Sequence, residues 1–293
     1  MKCVLCFFYL HVYWIEYAGP LNREENICEL VEIPHKQSSL QIPNPVVQFS
    51  KLSIDEQEDL QAQIEELKFE IHRKFLKFEA ELVKSLHERV TAANMVRTLM
   101  KHCTVYPTES MYNVSLLQEH KQALLDAKDI EEVFTIIHPF YSYYNYELLQ
   151  TIVEVHGSEK YRERMQQYIV DFSSYCKKVP CMEFYDDHCQ KSLKWVKLKF
   201  KLDYDKKLLT LADIKSIERH ISKILHIRSS VLFLHSIQDG CTAITFLVPD
   251  PCIYAILKRL KEKAATLQTE VKMMTIECDG KSIDEVHVRV LLI

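Results

Sequence analysis

The chain has 293 residues, 37 Lys+Arg against 41 Asp+Glu for a formal net charge of -4, 47% hydrophobic and 27% charged residues, 10 Cys and only 4 Gly. At about 100–200 residues per domain there is room for two domains with cores of their own, and the near-average composition excludes a disordered, collagen-like or mucin-like chain for its bulk. Gly19, Gly157, Gly240 and Gly280 stand far apart, so no Gly-rich phosphate cradle exists, and nucleotide chemistry through Walker or dinucleotide motifs is not expected.

Charge is unevenly placed. Residues 193–293 hold 17 Lys+Arg and 12 Asp+Glu, whereas residues 1–192 hold 20 and 29. An acidic part joined to a basic part reads as two modules and permits self-association in which unlike ends meet.

Residues 1–19 form an apolar N-terminal segment of uncertain status. Lys2 and the run Val4 to Ile15 imitate a secretory signal, but Glu16 and Pro20 spoil a cleavage site at Ala18-Gly19, and the run falls short of the roughly 20 residues of a spanning helix. The ten cysteines are scattered in a spacing that matches no disulfide framework, which points to thiols in a reducing, cytoplasmic setting. No membrane association is expected unless residues 1–19 are a genuine signal or anchor.

Pro34, Pro43 and Pro45 mark residues 20–48 as a linker. Residues 49–185 then read as an acidic helical bundle. Leu60, Ile64, Leu67, Ile71, Phe75, Phe78, Leu82 and Leu86 recur at steps of three and four, which predicts a long helix over about 53–90 behind a capping box at Ser53. Further helices are predicted over about 91–103, 115–127, 130–138, 144–156 and 158–175, with starts at Ser115, Asp129 and Ser158.

From about residue 193 the period changes to two. Val196, Leu198, Phe200 and Leu202 alternate with Lys197, Lys199 and Lys201, so a half-buried strand is predicted. A helix capped by Thr210 follows, then strands over Val231–Ile237 and Cys241–Val248 around the hairpin signal Asp239-Gly240. A helix from Asp250-Pro251 to about Leu267, a strand over Val271–Ile276 and a last strand over Val286–Ile293 complete residues 193–293. The chain as a whole is thus expected to be α+β: an N-terminal all-α bundle, then a basic ferredoxin-like split βαβ domain with an extra strand.

Candidate chemistry is sparse. Cys176, Cys181, His188 and Cys189 are zinc-binding types, but C-x4-C-x6-H-C lacks the paired loops of common zinc sites. No known local signature surrounds any cysteine, and Asp186-Asp187 reads as a solvated pair. No catalytic residue, cofactor or metal ligand is therefore assigned. Two surfaces remain as candidates for interaction. Trp195, Lys197, Lys199 and Lys201 project from one side of a strand whose sheet face would be partly open, as in sheets that stack single-stranded RNA; the bland reading is an edge strand defended by lysines. Tyr141, Tyr143 and Tyr144 lie in a run of five aromatics that could form a recognition surface or a packed corner between helices.

Asn145-Tyr146-Glu147-Leu148-Leu149, Phe172 with Tyr175, Ser236-Ile237-Gln238-Asp239-Gly240-Cys241 and Thr245-Phe246-Leu247-Val248-Pro249 give residues 129–257 a resemblance to a group of invertebrate proteins of the sponge and cnidarian type, in which a helical, death-fold-associated module precedes a small α+β domain. The resemblance implies a non-enzymatic adaptor or scaffold in intracellular cell-death or innate-immune signalling, with a protein partner or self-association. The alternative is a nucleic-acid-binding protein that uses the lysine-bearing sheet face.

Overall fold

Helix α1 (Ile54–His87) is 34 residues long, in keeping with an apolar stripe that no Gly or Pro interrupts. The stripe repeats 4-3-4, closing every 11 residues, and a spacing near 3.67 per turn keeps it almost straight along the helix. From Ile71 onward it is buried. The structure, a computed structural model, describes residues 53–106, 114–179, 184–185, 194–203, 210–238, 243–278 and 281–282.

Helix α2 (Ala92–His102) starts where the Thr91 hydroxyl accepts the Asn94 N–H. After a 3-10 turn at Gln118–His120 come α3 (Lys121–Asp126) and α4 (Ile130–Ile137). Asp129 caps α4 by accepting the Glu132 N–H at 2.8 Å, and the Glu132 carboxylate accepts the Lys128 N–H at 2.8 Å. Helices α5 (Glu147–His156) and α6 (Glu159–Lys178) flank Gly157. A Cβ at Gly157 would sit 2.4 Å from the Val153 carbonyl oxygen, so space rather than backbone conformation demands glycine there.

Two helices start later than periodicity suggests, because short side chains capture the backbone first. The Ser115 hydroxyl accepts the Leu117 N–H at 3.2 Å, and Ser115 bridges Thr104. The Ser142 hydroxyl accepts the N–H groups of Tyr144 and Asn145 at 3.3 and 3.2 Å, closing a turn that delays α5 to Glu147.

The second half supplies β1 (Phe184–Tyr185), β2 (Trp195–Leu202), α7 (Leu211–Ile224), β3 (Phe233–Gln238), β4 (Ala243–Pro249), α8 (Asp250–Glu262), α9 (Ala264–Glu270), β5 (Met273–Cys278) and β6 (Lys281–Ser282). The sheet order is β1-β3-β4-β2-β5-β6, and every neighbouring pair is antiparallel. Thr210 and Asp213 form the full capping box of α7. The helix read as running to about Leu267 breaks at Lys263 into α8 and α9. Strand β1 was not expected before residue 193; two residues are too few to show a period. The Asp239-Gly240 turn and residues 286–293 lie outside the described residues.

The chain is thus mixed α+β, mostly helical, with an antiparallel sheet toward the C-terminal end. One hydrophobic cluster runs from Ile71 through Phe172 to Phe200, Phe246 and Ile276, so helices and sheet share a continuous core. Among the described residues no helix is long and apolar enough to cross a membrane.

Candidate functional site

The helical part meets α7 through a buried charge cluster. Lys215 Nζ lies 2.7 Å from Glu147 Oε1 and 3.1 Å from Glu218 Oε1, and donates to the Tyr144 carbonyl at 3.3 Å. The ammonium also stands 4.8 Å from the Tyr144 ring centroid and 5.6 Å from that of Tyr146. Burial alone would lower the Lys215 pKa, but the two carboxyls hold it above the ordinary value. Burial pushes the Glu218 carboxyl up to about 8, with Glu147 adding to the rise and Lys215 opposing it. One proton shared with one ammonium and two carboxyl groups leaves the cluster neutral, the arrangement a water-poor site favours.

Composition and motif did not single out these residues, although a signal exists. Leu211, Lys215, Glu218 and Ser222 form a second line along α7, beside Ile214, Ile217, Ile221 and Ile224, and all eight are buried. A Lys-x-x-Glu pair in line with Leu211 marks a helix covered on two sides.

Tyr141, Tyr143 and Tyr144 are 1%, 6% and 0% exposed. They are a packed corner and not an accessible surface, because the turn after Pro139 aims them into the interior. Tyr141 donates to the Glu79 carboxylate, Tyr168 donates to the Tyr143 carbonyl, and Tyr144 packs edge-on to Phe172 at 5.4 Å. Burial raises the pKa values of Tyr141 and Glu79.

On β2, Leu198, Phe200 and Leu202 are buried, Lys197 is exposed, and Lys199 and Lys201 are half-buried. The face bearing these lysines is narrower than expected. Lys197, Lys199 and Lys201 sit opposite Leu247, Thr245 and Ala243 of β4, all buried, so the row is open only along β2 and β5. Lys201 pairs with Glu277 at 2.6 Å. The Trp195 ring lies 5.9 Å from that of Phe140 and 4.9 Å from that of Phe233, which occupies it in packing.

The described cysteines do not act as a set. Cys103, Cys176 and Cys252 are buried, and burial pushes each thiol up to about 12. Cys181, His188 and Cys189 lie outside the described residues. No group of three or more His, Cys, Asp or Glu suited to a metal ion occurs among the described residues. No family model, no curated protein and no solved structure matches the chain.

Proposed function

We propose that the protein works by binding rather than by catalysis, as a cytoplasmic adaptor or scaffold that engages an amphipathic helix of a protein partner. The supporting observation lies on α1. Phe69 and Leu76, one heptad apart, are 53% and 47% exposed, whereas Ile71, Phe75 and Phe78 on the opposite side are buried. The exposed line is flanked by Glu65 and Glu66, so it fits the apolar side of a helix that also carries basic residues. Fully burying one large apolar side chain contributes about 1.5–3 kcal/mol, which makes two such residues a usable anchor.

A second copy of the chain is the first partner to examine, since an acidic helical part and a basic α+β part are complementary in charge and would orient the encounter. The strand order β3-β4-β2-β5, with α7 and α8 as crossovers, supports reading the basic part as a ferredoxin-like split βαβ unit. A role in cell-death or innate-immune signalling belongs to the same proposal and rests on the resemblance alone. The nucleic-acid alternative draws less support, because Trp195 is packed and Lys201 is already paired.

Light scattering of the full chain over a concentration series, at low and moderate salt, tests the reading. Reversible growth in mass that weakens with salt and disappears in the Phe69→Glu, Leu76→Glu double variant is expected. Monomer mass at every concentration would remove self-association as the mode of assembly.

A further inference from the structure

A cleft of about 240 Å³ opens beside the buried charge cluster. Helix α5 contributes Glu147, Thr151 and Glu154 to its lining, and the segment after α7 contributes Arg228, Ser229 and Ser230. Arg228 Nε is buried without a hydrogen-bond partner among the described residues, and the guanidinium makes no ion pair there, unlike Lys215 a few residues earlier. A buried donor left unmade is costly, and a guanidinium is shaped to receive a carboxylate through two parallel hydrogen bonds. The adjoining Ser229 and Ser230 hydroxyls add further donors.

The opposite charge comes from the other element. Glu147 is fixed by its 2.7 Å contact with Lys215, and Glu154 is exposed and accepts from the Gln150 amide at 2.9 Å. A lone anion would meet two carboxylates, and a lone amine would meet the guanidinium. A small molecule carrying both charges satisfies both sides. The volume lies below the roughly 300–1,000 Å³ of sites for drug-sized ligands, which restricts the occupant to a single small metabolite.

We propose that this cleft binds a free α-amino acid, its carboxylate on Arg228 and the serine hydroxyls and its ammonium on Glu154 and Glu147. The site goes beyond partner binding: through Glu147 its occupancy reaches the Lys215 cluster that joins the helical part to α7.

The test is proton–nitrogen NMR of the full chain titrated with L-serine, L-alanine and L-glutamine, and separately with acetate and ethylammonium as half-probes. Saturable shifts at the amides of Thr151, Ser229 and Ser230 are expected with at least one amino acid, with acetate and ethylammonium far weaker. Arg228→Gln should weaken binding about tenfold or more, the size expected for a charge-assisted hydrogen bond, and Glu154→Gln should weaken it as well. Glu154 is exposed, so its variant reports even if Arg228→Gln fails to fold. No saturable shift with any of the three amino acids, affinity unchanged in the variants, or acetate binding as tightly as the amino acids would each overturn the proposal.

Discussion

Asn145 treats Leu234 as a neighbouring strand would. Its Oδ1 accepts the Leu234 N–H at 3.3 Å and its Nδ2 donates to the Leu234 carbonyl at 3.4 Å. This is the two-bond exchange of an antiparallel pair, made by a side chain. Strand β1 reaches only Ser236 and Ile237 on that edge of β3. Asn145 continues the cover toward Leu234 and ties the turn before α5 to the sheet.

Asn145→Ala should therefore destabilise the chain by about 1–3 kcal/mol, since a buried N–H and C=O lose their partners together. Urea unfolding measures this, and hydrogen exchange should show the Leu234 amide losing protection. Unchanged protection at Leu234 would refute the edge-pairing role.

Glu218 sets a pH dependence. Its carboxyl is pushed up from 4.5 to about 8, so the folded chain holds a proton that the unfolded chain releases. Its contribution to stability is fully present below pH 4.5 and is lost as pH rises through about 8. Unfolding free energy measured across that range should fall with pH in the native chain and fall less steeply in Glu218→Gln, which keeps the shape of the neutral acid.

Lys215→Ala removes the only ammonium of the cluster and leaves Glu147 beside Glu218 without a counter-charge. A loss of about 3–5 kcal/mol is expected, as for other buried pairs broken from one side. Replacing Lys215 and Glu218 together by Met and Gln should cost less than the single change, and a double-mutant cycle in urea would show it.

His226 follows α7 with a φ of 51°, the left-handed conformation in which glycine ordinarily closes a helix. The Ile227 N–H bonds to the Ser222 carbonyl at 3.0 Å across it. His226→Gly should stabilise the chain by up to about 1 kcal/mol by relieving the Cβ contact, read as a higher urea midpoint with an unchanged slope.

Cys103, Cys176 and Cys252 are buried thiols pushed up to about 12. At neutral pH they should stay unlabelled by N-ethylmaleimide in the folded chain and react after denaturation. Peptide mapping by mass spectrometry distinguishes the two states, and rapid native labelling of any of the three would show that its packing is looser than described here.

The amino-acid sequence by itself determined the elements whose causes are local. The stripe from Leu60 to Leu86 made α1, Asp129 and Thr210 with Asp213 set helix starts, and alternation from Val196 to Leu202 made β2. Each depends on residues within a turn or two of one another, so a single pass along the chain reads them. Strand β1, two residues long, and the late starts forced by Ser115 and Ser142 were harder to read because one side-chain hydrogen bond there outweighs periodicity. The tertiary structure alone decided what covers each face. Asn145 finds Leu234 across 89 positions and Lys215 finds the Tyr144 carbonyl across 71, and the same closure buried the tyrosines, narrowed the lysine face and formed the cleft at Arg228. Periodicity tells a residue which side of its own element it occupies; which other element meets that side is settled by packing the whole core at once, where contacts distant in sequence compete for the same buried surface.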